Sequence, residues 1–191
     1  MYKQSFYSVN AITLYRLIAA PALLLLIFIK QFEVFKWLLA VSFLTDVLDG
    51  YLARKFKVTS PFGSIIDSVS DDLTVAVAIT GIVVINPAFL SEQIAIIACI
   101  VALFLIQIVA ALLRYRKISS FHTYMAKAAA VFQAVFLTSF YFLPKPPYTL
   151  FYITAALTII DLAEEIMLVA ILPQWTTDIK GVYWIFKKGA Q

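Results

Sequence analysis

One cysteine, one histidine and 11 acidic residues are all that this 191-residue chain offers of the side chains that most often do chemistry. The lone Cys99 excludes an intramolecular disulfide, and its place inside an apolar run reads as a small hydrophobe. With a single histidine and a single cysteine, both distant from the main acidic cluster, a zinc site has no ligand set. Charged residues make up only 14% of the chain, and no basic patch with interleaved aromatics stands clear of the apolar segments, so nucleic acid is set aside as a partner. Internal repeats and low-complexity linkers are also lacking. No cleavable signal peptide is expected, because the first apolar segment is long enough to span and lacks a small-residue cleavage site.

What the chain has instead is apolar bulk. It is 63% hydrophobic with a mean hydropathy of +0.93, which places it among integral membrane proteins, as one domain over 1–191. Six apolar segments, at about 12–29, 35–54, 64–85, 94–114, 125–142 and 150–172, each have roughly the 20 residues needed to cross a bilayer. Asn86-Pro87 and Leu143-Pro144-Lys145-Pro146-Pro147 are turns that stop helices. The fold class expected is therefore all-α with six transmembrane helices. If these alternate in direction, ten basic residues fall on one side and only Lys30, Lys36 and Lys145 near the other, so both termini are expected to be cytoplasmic. The aromatic-rich stretch from Tyr2 to Val9 and the tail from Gln174 to Gln191 read as interfacial segments, the tail facing anionic lipid.

Against this background Thr45 to Leu73 is exceptional, because it holds five aspartates. On helices, Asp46 and Asp49 at i, i+3 and Asp67 and Asp71 at i, i+4 project as two pairs of adjacent carboxylates. Four carboxylates in one cage would repel or take up protons unless cations sat among them, so one or two hard divalent ions, Mg²⁺ or Mn²⁺, are implied. Gly50 leaves a bare patch for close approach of a ligand, and Arg54 one turn later offers a planar fork for phosphate. Metal cage, bare patch and guanidinium together describe a pyrophosphate site.

The pattern Asp46-x-x-Asp49-Gly50-x-x-Ala53-Arg54, eight residues, Gly63-x-x-x-Asp67-x-x-x-Asp71 resembles the motif of the CDP-alcohol phosphotransferase family at every fixed position. The resemblance implies a six-helix membrane enzyme and, by family analogy, a homodimer. Such an enzyme transfers the phosphatidyl group of CDP-diacylglycerol to an alcohol and releases CMP. It further implies that Asp46, Asp49, Asp67 and Asp71 hold a two-metal centre, that Gly50, Ala53 and Arg54 contact the CDP moiety, and that Asp71 doubles as base for the attacking hydroxyl. The site is then expected at the cytoplasmic face, of the cytoplasmic membrane if the source is prokaryotic.

Other residues bear on the acceptor. Asn10, Thr13 and Arg16 share a helical face and are similar to the N-terminal pattern of phosphatidylglycerophosphate and cardiolipin synthases in that family. Ala126-Lys127 followed by Gln133 is similar to the Gly-Lys...Gln pattern of the glycerophosphate-type branch, with Ala in place of Gly. Arg114 and Lys127 would suit a phosphorylated acceptor, and glycerol 3-phosphate is the first expectation. Inositol, inositol phosphate, serine and another phospholipid are rivals, because Asp72 stands where many glycerophosphate-type members carry Lys. His122 invites a general-base reading, but an interfacial loop histidine is the plainer one, since the aspartates already supply a base. Asp161, Glu164 and Glu165, nearly on one face of the sixth segment, are read either as functional or as structural partners of Arg16, Arg114 or Lys127. Two other classes fit these residues less well. A carboxylate-lined cation transporter leaves Gly50, Ala53 and Arg54 unexplained, and a catalytically silent scaffold has no need of a complete cage.

Overall fold

The computed structural model describes residues 18–56, 61–117, 121, 123–176 and 179–189, with side chains at 18–45, 69–117, 121, 123–176 and 179–185. Every regular element among the described residues is a helix: α1 (Ile18–Phe28), α2 (Phe32–Phe56), α3 (Pro61–Ile85), α4 (Pro87–Tyr115), α5 (Tyr124–Phe142), α6 (Tyr148–Ile171) and α7 (Val182–Gly189). The apolar segments predicted from residue 35 onward each coincide with one of α2 to α6, the last running one residue past the end of α6. The region before Ile18, including the aromatic-rich N-terminal stretch, lies outside the described residues.

Helix boundaries follow local chemistry more than hydropathy. α4 begins at Pro87, seven residues before the apolar run expected at 94. Asn86 is its N-cap, accepting a hydrogen bond from the Phe89 N–H at 3.1 Å, and Pro87 at the first helical position needs no partner for an N–H it lacks. The turn between α3 and α4 is thus a single residue. α5 opens on buried Thr123, whose hydroxyl accepts from the Ala126 N–H at 3.0 Å. α1 ends with Lys30 left-handed at φ 58°, where Gln31 N–H donates to Leu26 O at 2.9 Å and Lys30 N–H to Ile27 O at 3.1 Å, a Schellman closure.

Among the described residues two helices, α4 and α5, are both long and apolar enough to cross a membrane. Their 29 and 19 residues correspond to about 43 and 28 Å, against a hydrocarbon core of about 30 Å. On α4, Ile94, Val101, Leu105, Ile106, Val109, Leu112 and Leu113 are all exposed, an apolar surface suited to lipid rather than to water.

The chain forms two compact units. The first comprises 1–89 and 137–145. Its core draws Ala19, Ala20, Leu23 and Ile27 from α1, Phe35 and Leu39 from α2, and Val77, Ala78 and Ile82 from α3. Ser42, Ser70 and Thr74 are buried with them, and their small size suits close helix packing. Ser42 and Thr74 bond carbonyls of their own helices, Leu38 O and Ser70 O, each at 2.9 Å, so neither hydroxyl is stranded. Tyr141 reaches into this core, its hydroxyl donating to Ala78 O and its ring edge-on to Phe35 at 4.9 Å. Gly81 makes room for it.

A side chain at Gly81 would collide with the Tyr141 hydroxyl and lie 3.3 Å from Ile27 and from Phe35. Gly81→Ala should therefore destabilise by about 1–3 kcal/mol through overpacking, measured as a lower unfolding temperature in detergent. In a Tyr141→Phe background, which removes the hydroxyl, the same change should cost less. Equal costs in the two backgrounds would contradict this contact.

The second unit comprises 90–136 and 146–191. Side-chain hydrogen bonds join its helices: Gln133 Nε2 of α5 donates to Thr158 Oγ1 of α6 at 2.9 Å, and Gln107 Nε2 of α4 donates to Glu165 Oε2 of α6 at 2.7 Å. Near one end, Ala111, Phe121, Leu168 and Val169 form a buried cluster on which Tyr115, Leu172, Ile179, Val182 and Ile185 pack.

Candidate metal and anion site

α2 and α3 carry all eight fixed positions of the aspartate motif, and the two helices pack on each other. Both backbones are helical through the motif, so the i, i+3 and i, i+4 spacings do place Asp46 with Asp49 and Asp67 with Asp71 on common faces. The four linking residues 57–60 lie outside the described residues. Measured along the helices, Asp49 is about 10 Å before the end of α2 and Asp67 about 9 Å after the start of α3, so the two pairs stand at similar distances from the link.

The side chains of Asp46, Asp49, Arg54 and Asp67 lie outside the described residues, as do Asn10, Thr13, Arg16 and His122 altogether. Gly50 and Ala53 sit on the described α2 backbone. Asp71 is half-buried and follows fully buried Ser70, whereas Asp72 is exposed, as the rotation of about 100° per residue requires. Among the described residues no group of three potential metal-ligating side chains occurs. As a donor set, four carboxylates supply only hard oxygen ligands, which fits Mg²⁺ or Mn²⁺ and not a soft metal.

The second unit holds the remaining candidates. Arg114, in the last turn of α4, donates from Nε to Leu172 O at 3.0 Å. Lys127 is exposed in the first turn of α5, with Nζ 5.6 Å from the centre of the Tyr124 ring. Gln133 is used between helices, on Thr158. The three carboxylates of α6 have separate surroundings. Glu165 accepts from Gln107, and Glu164 Oε1 accepts from the Val182 N–H at 3.0 Å. Asp161 Oδ1 and Glu164 Oε2 are buried with no hydrogen-bond partner among the described residues. The role of Glu164 at the start of α7 escapes sequence reasoning; in the structure Gly181, with φ 139°, makes the sharp turn that delivers Val182 to it.

Comparison with known proteins agrees with the motif. The family model described as CDP-alcohol phosphatidyltransferase matches residues 6–163. The chain is 38% identical over 73 residues to a Pseudomonas fluorescens protein named CDP-diacylglycerol-glycerol-3-phosphate 3-phosphatidyltransferase, covering 37% of each chain. A Cereibacter sphaeroides protein of the same name is 38% identical over 87 residues, 41% of this chain and 38% of the relative. A Haemophilus influenzae protein, again so named, is 49% identical over 43 residues, 22% of this chain and 23% of the relative. The matched stretches thus span well under half the length of these relatives. No solved structure matches the chain. With the family match running from before α1 into α6 and the complete aspartate motif on α2 and α3, this membrane-associated chain belongs to the CDP-alcohol phosphatidyltransferase family.

Proposed function

We propose that the protein transfers the phosphatidyl group of CDP-diacylglycerol to the hydroxyl of an alcohol, with glycerol 3-phosphate the first-choice acceptor, and releases CMP. The observation that carries this is the placement of all eight motif positions on two packed helices at similar distances from their link. In the reaction the acceptor oxygen forms a bond to the lipid-bearing phosphorus, and the bond from that phosphorus to the CMP oxygen breaks. Asp71 takes the hydroxyl proton. Arg54, the bare backbone at Gly50 and the small Ala53 hold the cytidine diphosphate. Asp46, Asp49, Asp67 and Asp71 would hold one or two divalent ions, which when bound stabilise charge on the transferring phosphoryl group and the leaving CMP. The wider arrangement proposed is one membrane domain of six spans with both termini and the site on the cytoplasmic side, working as a homodimer, as the family implies.

A phosphorylated acceptor brings a dianion that needs cations, and Arg114 and Lys127 are the proposed ones. Arg114→Ala and Lys127→Ala should each raise the acceptor KM about tenfold or more while the KM for CDP-diacylglycerol stays within about threefold, a loss of binding confined to one substrate. The direct test presents purified protein with CDP-diacylglycerol and a panel of acceptors and measures CMP release. Release with glycerol 3-phosphate is expected. Release only with inositol or serine would replace the acceptor, and release with none would overturn the reading.

A further inference from the structure

The family match ends at residue 163, and beyond it the chain builds an element that the motif does not account for. After α6, described residues 172–176 and 179–185, the latter entering α7, lie against the α4–α5 corner. Its backbone joins that corner through Ile179 N–H, which donates to Phe121 O at 2.8 Å, and Lys180 O, which accepts from Tyr124 N–H at 3.4 Å. Phe121 is fully buried beside Ala111, Leu168 and Val169, with Ile179, Val182 and Ile185 packed over them. Backbone and apolar contacts therefore seat the segment on the corner.

Glu164 fastens it. Its Oε1 accepts the Val182 N–H at 3.0 Å, at the first residue of α7, where the helix leaves N–H groups without internal partners and carries partial positive charge. Gly181 makes the approach possible, since a side chain there would lie 2.8 Å from Oε1 and its φ of 139° disfavours other residues.

The same segment touches two cations of the corner and reaches a third through Tyr124. Leu172 O accepts from Arg114 Nε at 3.0 Å, and the Trp175 ring lies 4.7 Å from Lys117 Nζ. The Trp184 ring is 5.3 Å from Tyr124, whose ring in turn lies 5.6 Å from Lys127 Nζ. Arg114 donates only one of its five N–H groups in this bond, so the fork retains donors for an anion.

We propose that residues 172–176 and 179–185 form a clamp, fastened by Glu164, that positions Arg114 and Lys127 for the phosphate of the acceptor. This rests on the reading of a phosphorylated acceptor. Glu164 is a positioning residue here and does not itself touch substrate. An isolated anchor on the lipid surface would not need to reach the cations, whereas this segment contacts Arg114 and Lys117 directly and Lys127 through Tyr124.

The test uses the full chain in mixed micelles with CDP-diacylglycerol, with steady-state kinetics and hydrogen–deuterium exchange on the same samples. Glu164→Ala should speed exchange of the peptide spanning 179–185 and raise the KM for glycerol 3-phosphate about fivefold or more, with kcat and the donor KM within about twofold. Glu164→Gln, which keeps an oxygen to accept the Val182 N–H, should behave as the parent. Trp184→Ala should give the same KM split through Tyr124 and Lys127 and Trp184→Phe should restore it, which keeps the test open if Glu164→Ala does not fold. Unchanged exchange in Glu164→Ala, or faster exchange with an unchanged acceptor KM, would overturn the clamp. If Arg114→Ala and Lys127→Ala raise the acceptor KM and the clamp variants do not, only the clamp fails. If none of these four positions moves it, the phosphorylated-acceptor reading fails with it.

Discussion

Exhaustive chelation with EDTA is expected to abolish CMP release, and added Mg²⁺ or Mn²⁺ to restore it. Asp46, Asp49, Asp67 and Asp71 put four carboxylates on two packed helices, and two like charges 4 Å apart repel by about 4 kcal/mol at an effective dielectric of 20. Without cations such a group takes up protons or spreads apart, and either response removes the oxygens that would steady the pyrophosphate. Metal stabilisation of a phosphoryl group contributes several kcal/mol, and each 1.4 kcal/mol is tenfold, so a loss of roughly 10³-fold or more is expected. Ca²⁺ should support less turnover, because its looser geometry misplaces the phosphate oxygens. Full activity in metal-free protein would refute the two-metal account.

Asp71→Asn should lower kcat by roughly 10²-fold or more, the usual contribution of a general base, while affinity for CDP-diacylglycerol falls less than in Asp46→Asn. Because Asp71 is also an expected ligand, metal content has to be measured on the same preparation. Near-normal turnover with metal retained would rule Asp71 out as base. Asp72→Asn is the matching control. Asp72 is exposed and points about 100° away from half-buried Asp71, so its loss should change kcat by no more than about threefold.

The placement of the motif positions on common helix faces was legible from sequence because helix periodicity is local. Once α2 and α3 are helical, residues three and four apart share a face, whatever surrounds them. The helices themselves were legible for a related reason, since a long apolar run satisfies its backbone polar groups internally. Boundaries were less so. α4 starts at Pro87 rather than near 94, because one N-cap bond from Asn86 and a proline at the first position outweigh where the apolar run begins.

Asp161, Glu164 and Glu165 show where local reasoning stops. Their spacing places them nearly on one face of α6, and as sequence they read as a single group with two possible uses. Packing separates them: Glu165 bonds Gln107, 58 residues away, Glu164 caps α7, 18 residues away, and Asp161 Oδ1 is buried without a partner among the described residues. Arg114, expected to face a carboxylate or a phosphate, gives its Nε–H to Leu172 O. The aspartate motif, the family and the helical character of the chain are thus set by sequence alone, since each depends on residues within a few turns of one another. The partners of Arg114, Tyr141 and Glu164, and the seating of the C-terminal segment on the α4–α5 corner, were decided only by tertiary structure. Helix periodicity sets the direction in which a side chain leaves its helix, but what it meets there is brought by another element distant in the chain.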